Sequence, residues 1–157
     1  MLKGLRRTDL LNRLMHLYWR FSRGLTLGVR GVVLDRDGRV FLIKHSYTDG
    51  WHLPGGGVEV GETLIEALER ELREEGNIEL CGPPALHGVI FHPLYSRRDH
   101  VTIYVVRQFC QSAQPVPNRE IVAHGFFPVD ALPADTTAGT RARIAEVLAG
   151  APAATHW

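Results

Sequence analysis

The stretch that decides the fold is Leu53-Pro54-Gly55-Gly56-Gly57-Val58-Glu59-Val60-Gly61-Glu62, continuing through Thr63 to Arg70-Glu71-Leu72-Arg73-Glu74-Glu75-Gly76-Asn77-Ile78. Its first half is a glycine-rich loop with Pro54 inside it. Its second half, Thr63 to Glu75, carries helical periodicity. At 100° per residue Leu64, Leu68 and Leu72 fall in one line with Ile65 beside it, which predicts the buried stripe. Glu66, Glu69 and Arg73 fall on the opposite side and face water. Glu71, Glu74 and Glu75 fall within about a quarter-turn of one another, next to the apolar stripe.

Three carboxylates at the end of one helix repel one another. Like charges at helical spacing cost a few tenths of a kcal/mol per pair, and the helix dipole favours cations at that end. Two readings are open: a solvated acidic face, or a cation placed among the acids. The glycine loop lets backbone approach a ligand closely. Together with the position beside the buried stripe, it favours the cation. An all-oxygen set suits Mg²⁺, Mn²⁺ or Ca²⁺ rather than Zn²⁺, and a magnesium-type ion keeps waters and binds substrate phosphates. The residues predict a divalent-metal site for phosphorylated substrates.

Outward from this stretch, strands and helices mix in an order that predicts an α/β or α+β single domain. Residues 25–34 and 39–45 are apolar runs joined by Asp35-Arg36-Asp37-Gly38, a hairpin signal. Gly82-Pro83-Pro84 breaks the chain. Residues 86–92 and 100–110 read as strands, with a polar turn of Tyr95, Ser96, Arg97, Arg98 and Asp99 between them. Pro115 and Pro117 mark a loop before a last strand, Ile121 to Val129. Thr137 to Leu148 reads as the final helix with Gly150 past its end, and the tail from Ala151 is expected to fray. Residues 3–22 read as a helix with Leu10, Leu11, Leu14, Leu17, Tyr18 and Phe21 on one face and a basic opposite face. A helix packed on its own domain or on a second subunit is the simpler expectation. A membrane-surface or partner-binding helix is the other.

The chain has 157 residues, 45% hydrophobic and 22% charged, the values of an ordinary globular protein able to bury a core without staples. No apolar run reaches the ~20 residues of a membrane span, and no secretory h-region is visible. Two cysteines are too few for a disulfide scaffold. Cys81 and Cys110 are expected to be buried thiols in a reducing, cytoplasmic setting. The net charge of +1 divides into +5 over residues 1–23 and −4 over the rest. An acidic body argues against a general nucleic-acid binder.

The 53–78 stretch resembles the Nudix box, the signature of Nudix hydrolases: a glycine, five residues, a glutamate, seven residues, then Arg-Glu-aliphatic-X-Glu-Glu-X-Gly-aliphatic. Gly56 supplies the first glycine and Glu62 the glutamate. Arg70-Glu71-Leu72-Arg73-Glu74-Glu75 matches at every fixed place, and Ile78 closes the pattern. Asn77 stands where the family has glycine. Asparagine tolerates the left-handed conformation a helix end of this kind requires. The flanking pattern is similar over residues 25–149. The resemblance implies an α/β/α sandwich around a mixed β-sheet, with the N-terminal helix added. The implied organisation is a basic helix over 1–23, the hydrolase domain over 24–150 and a tail over 151–157.

It also implies hydrolysis of a diphosphate linkage in a nucleoside diphosphate derivative. Candidates are ADP-ribose, a sugar nucleotide, a dinucleoside polyphosphate, a nucleoside triphosphate or capped mRNA. Pro93 and Tyr95 together do not separate the first and third of these. By position, Glu71, Glu74 and Glu75 would hold Mg²⁺ or Mn²⁺, joined by the carbonyl of Gly55. One of them, or a carboxylate from a later loop, would activate water. Glu120 is preferred over Asp99 for that later carboxylate. Arg70 and Glu62 would form a supporting ion pair. The alternative is a non-catalytic nucleotide sensor on the same fold. Among other residues, Arg30, Lys44, Arg97 and Arg98 are candidate phosphate contacts, and Trp51 is a candidate base-stacking group. His45 and His52 lie near enough to the loop to touch substrate. The expected partners are a small-molecule nucleotide and, through the N-terminal helix, a second copy of the chain or a membrane surface.

Overall fold

The computed structural model describes residues 7–94, 96–116 and 119–157, without the side chains of residues 7–13 and Arg20. The expectations placed on Lys3, Arg6, Tyr95 and Pro117, and on the side chains of Leu10 and Leu11, lie outside the described residues. Helix α1 (Arg7–Ser22) leads into β1 (Thr26–Val33), β2 (Val40–His45) and β3 (Trp51–His52). After the glycine loop come α2 (Leu64–Gly76), β4 (Ile78–Leu80), β5 (Ala85–Phe91), β6 (Asp99–Val106), β7 (Phe109–Gln111), β8 (Ile121–Phe127) and α3 (Ala138–Ala149).

The strands form one sheet in the order β1-β6-β5, a second in the order β3-β2-β8, and the pair β4-β7. β1 runs parallel to β6, with Thr26 opposite Asp99, while β5 runs antiparallel to β6. Alternate residues of the strands feed two cores. Val29, Val33, Phe41 and Ile43 pack with Leu68 and Leu72 of α2. Val32, Leu34, Val40 and Leu42 pack with Ile144 of α3. The result is the predicted helix–sheet–helix sandwich.

The 35–38 turn forms as predicted, with Gly38 at φ +75°, but the hairpin ladder does not. β1 and β2 meet in a bridge at Leu34 and Val40, and β2 then pairs with β8. The reason lies in the glycine loop. Val29 N–H donates to the Gly56 carbonyl and Gly31 N–H to that of Pro54, both at 2.9 Å, so the β1 edge facing β2 is already taken. Gly55 sits at φ +136°, where a Cβ would strike the Val29 carbonyl. Only a glycine lets this loop lie flat on β1.

Three further expectations are corrected. The run 100–110 is not one strand: it breaks after Val106, and Phe109–Gln111 turns away to pair with Ile78–Leu80. That register sets Cys110 opposite Glu79 and leaves Cys81, exposed like Cys110, beside it. The two are a disulfide with Cα atoms 6.1 Å apart, not buried thiols, a separation within the normal range for such a bond. The tail does not fray either. Phe91 N–H donates to the Thr155 carbonyl and Trp157 N–H to that of Phe91, each at 3.0 Å, so residues 155–157 lie along β5.

Among the described residues no helix is long and apolar enough to cross a membrane. In α1, Leu14, Leu17, Tyr18 and Phe21 are exposed.

Candidate active site

Helix α2 is set by its ends. Thr63 caps the start: its side chain accepts the Glu66 N–H and Glu66 accepts the Thr63 N–H, a reciprocal capping box. Asn77 closes the other end in the left-handed conformation, φ 49°, with its amide N–H on Arg73 and Leu72 carbonyls. Its side chain donates to the Ala113 carbonyl at 2.9 Å, which ties the helix end to the segment after β7. Leu68 and Leu72 are fully buried, and their methyls press on Gly31 of β1. This fixes the helix rotation and turns Glu71 and Glu75 toward the glycine loop.

Arg70 organises the entrance. Its guanidinium donates to both carboxylate oxygens of Glu62 at 2.9 and 3.0 Å, to Glu71 Oε1 at 2.6 Å and to the Gly57 carbonyl at 3.0 Å. Four acceptors in one plane suit the rigid guanidinium fork. Glu62 and Glu71 hold Arg70 firmly protonated, and Arg70 with the Glu59 N–H lowers the Glu62 pKa. A Cβ on Gly56 would collide with the Glu71 carboxylate, so the loop needs glycine there for Glu71 to come in.

Glu75 lies deepest, 9% exposed. Its Oε2 accepts the Gly55 N–H at 2.6 Å, and its Oε1 is 3.9 Å from His45 Nε2. Burial pushes its pKa up to about 8. The Gly55 N–H and Arg30 pull it down, and Glu71 and Glu74 push it further up. His45 offers no counter-charge, because burial, Arg30 and His52 bring its pKa down to about 4. Tyr47 shows what else is near: burial raises its phenol, and Glu75, Glu120 and Glu71 raise it further. Glu120 and the α2 acids are thus all within electrostatic reach of Tyr47.

Among the described residues no three acids, histidines or cysteines are gathered tightly enough to enclose an ion. Glu71 is engaged by Arg70, Glu75 by Gly55, and the Glu74 side chain is 58% exposed. The donor set nonetheless fits a hard divalent cation. Glu75 is a buried carboxyl with the Gly55 N–H but, among the described residues, no close cation beside it, and Glu71 and Glu74 are near enough to raise its pKa. A divalent ion is the species that would favour all three in ionised form.

A cavity of about 610 Å³ opens beside this cluster, between β1, the loop after β2, the glycine loop and the start of α3. Arg30, His45, Tyr47 and His52 line it, with Gly56, Asp99 and Trp157. Arg30 Nη1 is buried there without a hydrogen-bond partner. The sequence-derived substrate contacts are split. Arg30 faces this cavity. Lys44 is turned to Asp135 instead and pairs with it at 2.7 Å. Trp51 packs edge-on against Phe127 in the α3-side core, with ring centroids 4.8 Å apart. Neither lines the cavity. Arg97 and Arg98 are exposed, and Arg98 reaches the Gly24 carbonyl at 3.5 Å. Asp99 is held by Thr26 and His92. Tyr47 and Trp157 were not singled out from sequence. Tyr47 follows a strand end by two residues, and Trp157 lies in the stretch expected to fray.

This arrangement sets a glycine loop and an acidic helix end beside a cavity on a helix–sheet–helix fold. Residues 24–148 match the NUDIX domain, and the chain belongs to that family. It is similar to the RNA pyrophosphohydrolase of Halorhodospira halophila (strain DSM 244 / SL1), 48% identical over 54 residues, 34% of this chain and 30% of that protein. The m7GpppN-mRNA hydrolase NUDT17 of Xenopus laevis is 34% identical over 111 residues, 62% of this chain and 38% of that protein. The chain therefore spans about a third of the length of these curated relatives. The crystal structure of the MutT NUDIX hydrolase from Burkholderia pseudomallei superposes with a TM-score of 0.67 at 30% identity, covering 78% of this chain and 97% of that one.

Proposed function

We propose that this chain is a divalent-metal-dependent pyrophosphohydrolase that cleaves a diphosphate linkage in a nucleoside diphosphate derivative. Residues 24–150 are its catalytic domain, preceded by a basic segment over residues 1–23. The observation that carries the reading is the buried Glu75 with Glu71 and Glu74, held on the glycine loop through Gly55 next to a cavity that Arg30, His45 and Gly56 line.

Glu71, Glu74 and Glu75, with Glu120 and the Gly55 carbonyl, are the groups that would hold Mg²⁺ or Mn²⁺. When bound, such an ion neutralises phosphate charge and lowers the pKa of water. The chain's own residues do the positioning. Arg30 meets a phosphate oxygen with a nitrogen that is already desolvated, so binding satisfies a donor rather than stripping one. Arg70, locked by Glu62 and Gly57, holds Glu71 in one orientation. One of the α2 glutamates, or Glu120 from the later loop, would take a proton from the attacking water.

The names of the two curated relatives point to 5′ ends of RNA, so triphosphorylated and capped RNA are the first substrates to try. ADP-ribose, sugar nucleotides, dinucleoside polyphosphates and nucleoside triphosphates complete the panel, each with Mg²⁺ and with Mn²⁺. The expected result is turnover of one class, lost in Glu75→Gln. Saturable nucleotide binding with no turnover anywhere in the panel would replace this reading by a non-catalytic sensor.

A further inference from the structure

One end of the cavity is lined by Arg30, His45 and Gly56, and the proposed hydrolase reading puts the phosphates there, next to the α2 carboxylates. Its other end has a wall the family resemblance did not supply. Trp157 lines the cavity and belongs to the α3-side core, on the opposite face of the sheets from α2. It is held from three directions. Its backbone N–H bonds the Phe91 carbonyl at 3.0 Å. Its ring sits beneath the Arg143 guanidinium at 5.7 Å and edge-on to His92 at 5.1 Å. Its Nε1 lies so close to Gly139 that any side chain there would collide with it. Arg143 is itself anchored by Glu146 at 2.5 Å and by the His156 carbonyl at 3.2 Å. An indole fixed this firmly is a preformed surface rather than a mobile flap. Planar aromatic faces are what nucleobases stack on.

We propose that Trp157, carried by the strap of residues 155–157 along β5, is a specificity-determining residue. Its indole stacks the base of a nucleotide whose phosphates lie toward Arg30 and Glu75. This rests on the proposed hydrolase reading for the direction of the phosphates, but not for the stacking itself. A base seated here explains why Trp51, the aromatic nearest the glycine loop in sequence, is free to serve the core. It also requires that a ligand with no ring gain nothing from Trp157.

The test uses the full chain with Trp19→Phe and Trp51→Phe, which leaves Trp157 as the sole indole, since the sequence has three tryptophans. AMP, GMP, CMP, UMP and inorganic phosphate are titrated with Mg²⁺. Monophosphates hold no diphosphate bond to cleave, so binding is read without turnover. The expected result is a saturable change in Trp157 emission with at least one nucleotide and none with phosphate. Calorimetric affinity for that nucleotide should fall about tenfold in Trp157→Leu and recover in Trp157→Phe. Unchanged emission with all four nucleotides overturns the proposal, as does equal affinity in Trp157→Leu. Turnover with a silent Trp157 would refute this inference and leave the hydrolase standing. A responsive Trp157 with no turnover in the substrate panel would do the reverse.

Discussion

Replacing Glu75 by glutamine is expected to stabilise the metal-free protein while removing metal-dependent turnover. Glu75 is buried, and its pKa is raised from 4.5 to about 8 in the fold. Between those two values the folded protein keeps a proton that the unfolded chain has released. Stability therefore falls as pH rises from 4.5 toward 8, and the penalty is absent at lower pH. At pH 7 it amounts to about 3 kcal/mol, levelling off near about 5 kcal/mol above the folded-state pKa. Glutamine has the same shape, its amide oxygen still accepts the Gly55 N–H, and it carries no charge to desolvate. The assay is urea unfolding of wild type and variant in EDTA at pH 5, 7 and 8.5. The variant should be the more stable by a margin that widens with pH. Added Mg²⁺ should then stabilise wild type more than the variant, which has lost one of the ionised ligands. Equal pH slopes for the two proteins in EDTA would refute the reasoning, since they would mean that Glu75 carries no desolvation penalty.

Other changes test other parts of the site. Gly56→Ala should displace Glu71 and lower turnover about 100-fold with little change in the unfolding midpoint, checked by steady-state kinetics beside thermal melts. Arg70→Lys loses the fork that joins Glu62, Glu71 and Gly57, and kcat should drop about 10- to 100-fold while substrate affinity changes less. Asn77→Ala should destabilise by about 1 to 2 kcal/mol, through its left-handed φ and the lost bond to Ala113; Asn77→Gly should recover the conformational part, both measured in urea. Opening the 29-residue span of the disulfide with Cys81→Ser and Cys110→Ser should lower stability by about 3 kcal/mol, and intact-mass measurement before and after reduction checks that the bond is present in the isolated protein.

Much of this layout was legible in the sequence where the signal is local. The Leu64, Leu68 and Leu72 line and the left-handed Asn77 follow from residues within or next to one helix. What escaped depends on contacts between distant segments. The turn at Asp35–Gly38 is local and forms. Whether β1 then pairs with β2 is decided by Pro54 and Gly56, whose carbonyls occupy the β1 edge, and by β6, whose Asp99 lies opposite Thr26. Nothing near Lys44 in the sequence says that it meets Asp135 rather than the cavity; the partner lies 91 residues away, and the strand register shifts between Lys44 and His45. Cys81 and Cys110 are brought together by a two-strand pairing that only the break after Val106 creates. The tail looked unstructured because nothing in residues 151–157 orders itself, and its order is borrowed from Phe91.

The meeting of β1 and β2 at Leu34 and Val40, followed by their separation, has a mechanical consequence. The two strands open like the covers of a book whose spine is that bridge, and Arg30 and His45 stand on facing pages near the outer margin. A small change of angle at the spine is magnified at the margin. Bulk added at Val40 or Leu34, both sealed from solvent and neither lining the cavity, would alter how wide the volume stands open. Aperture and chemistry are thereby placed on separate residues, and either can be retuned while the other stays in place.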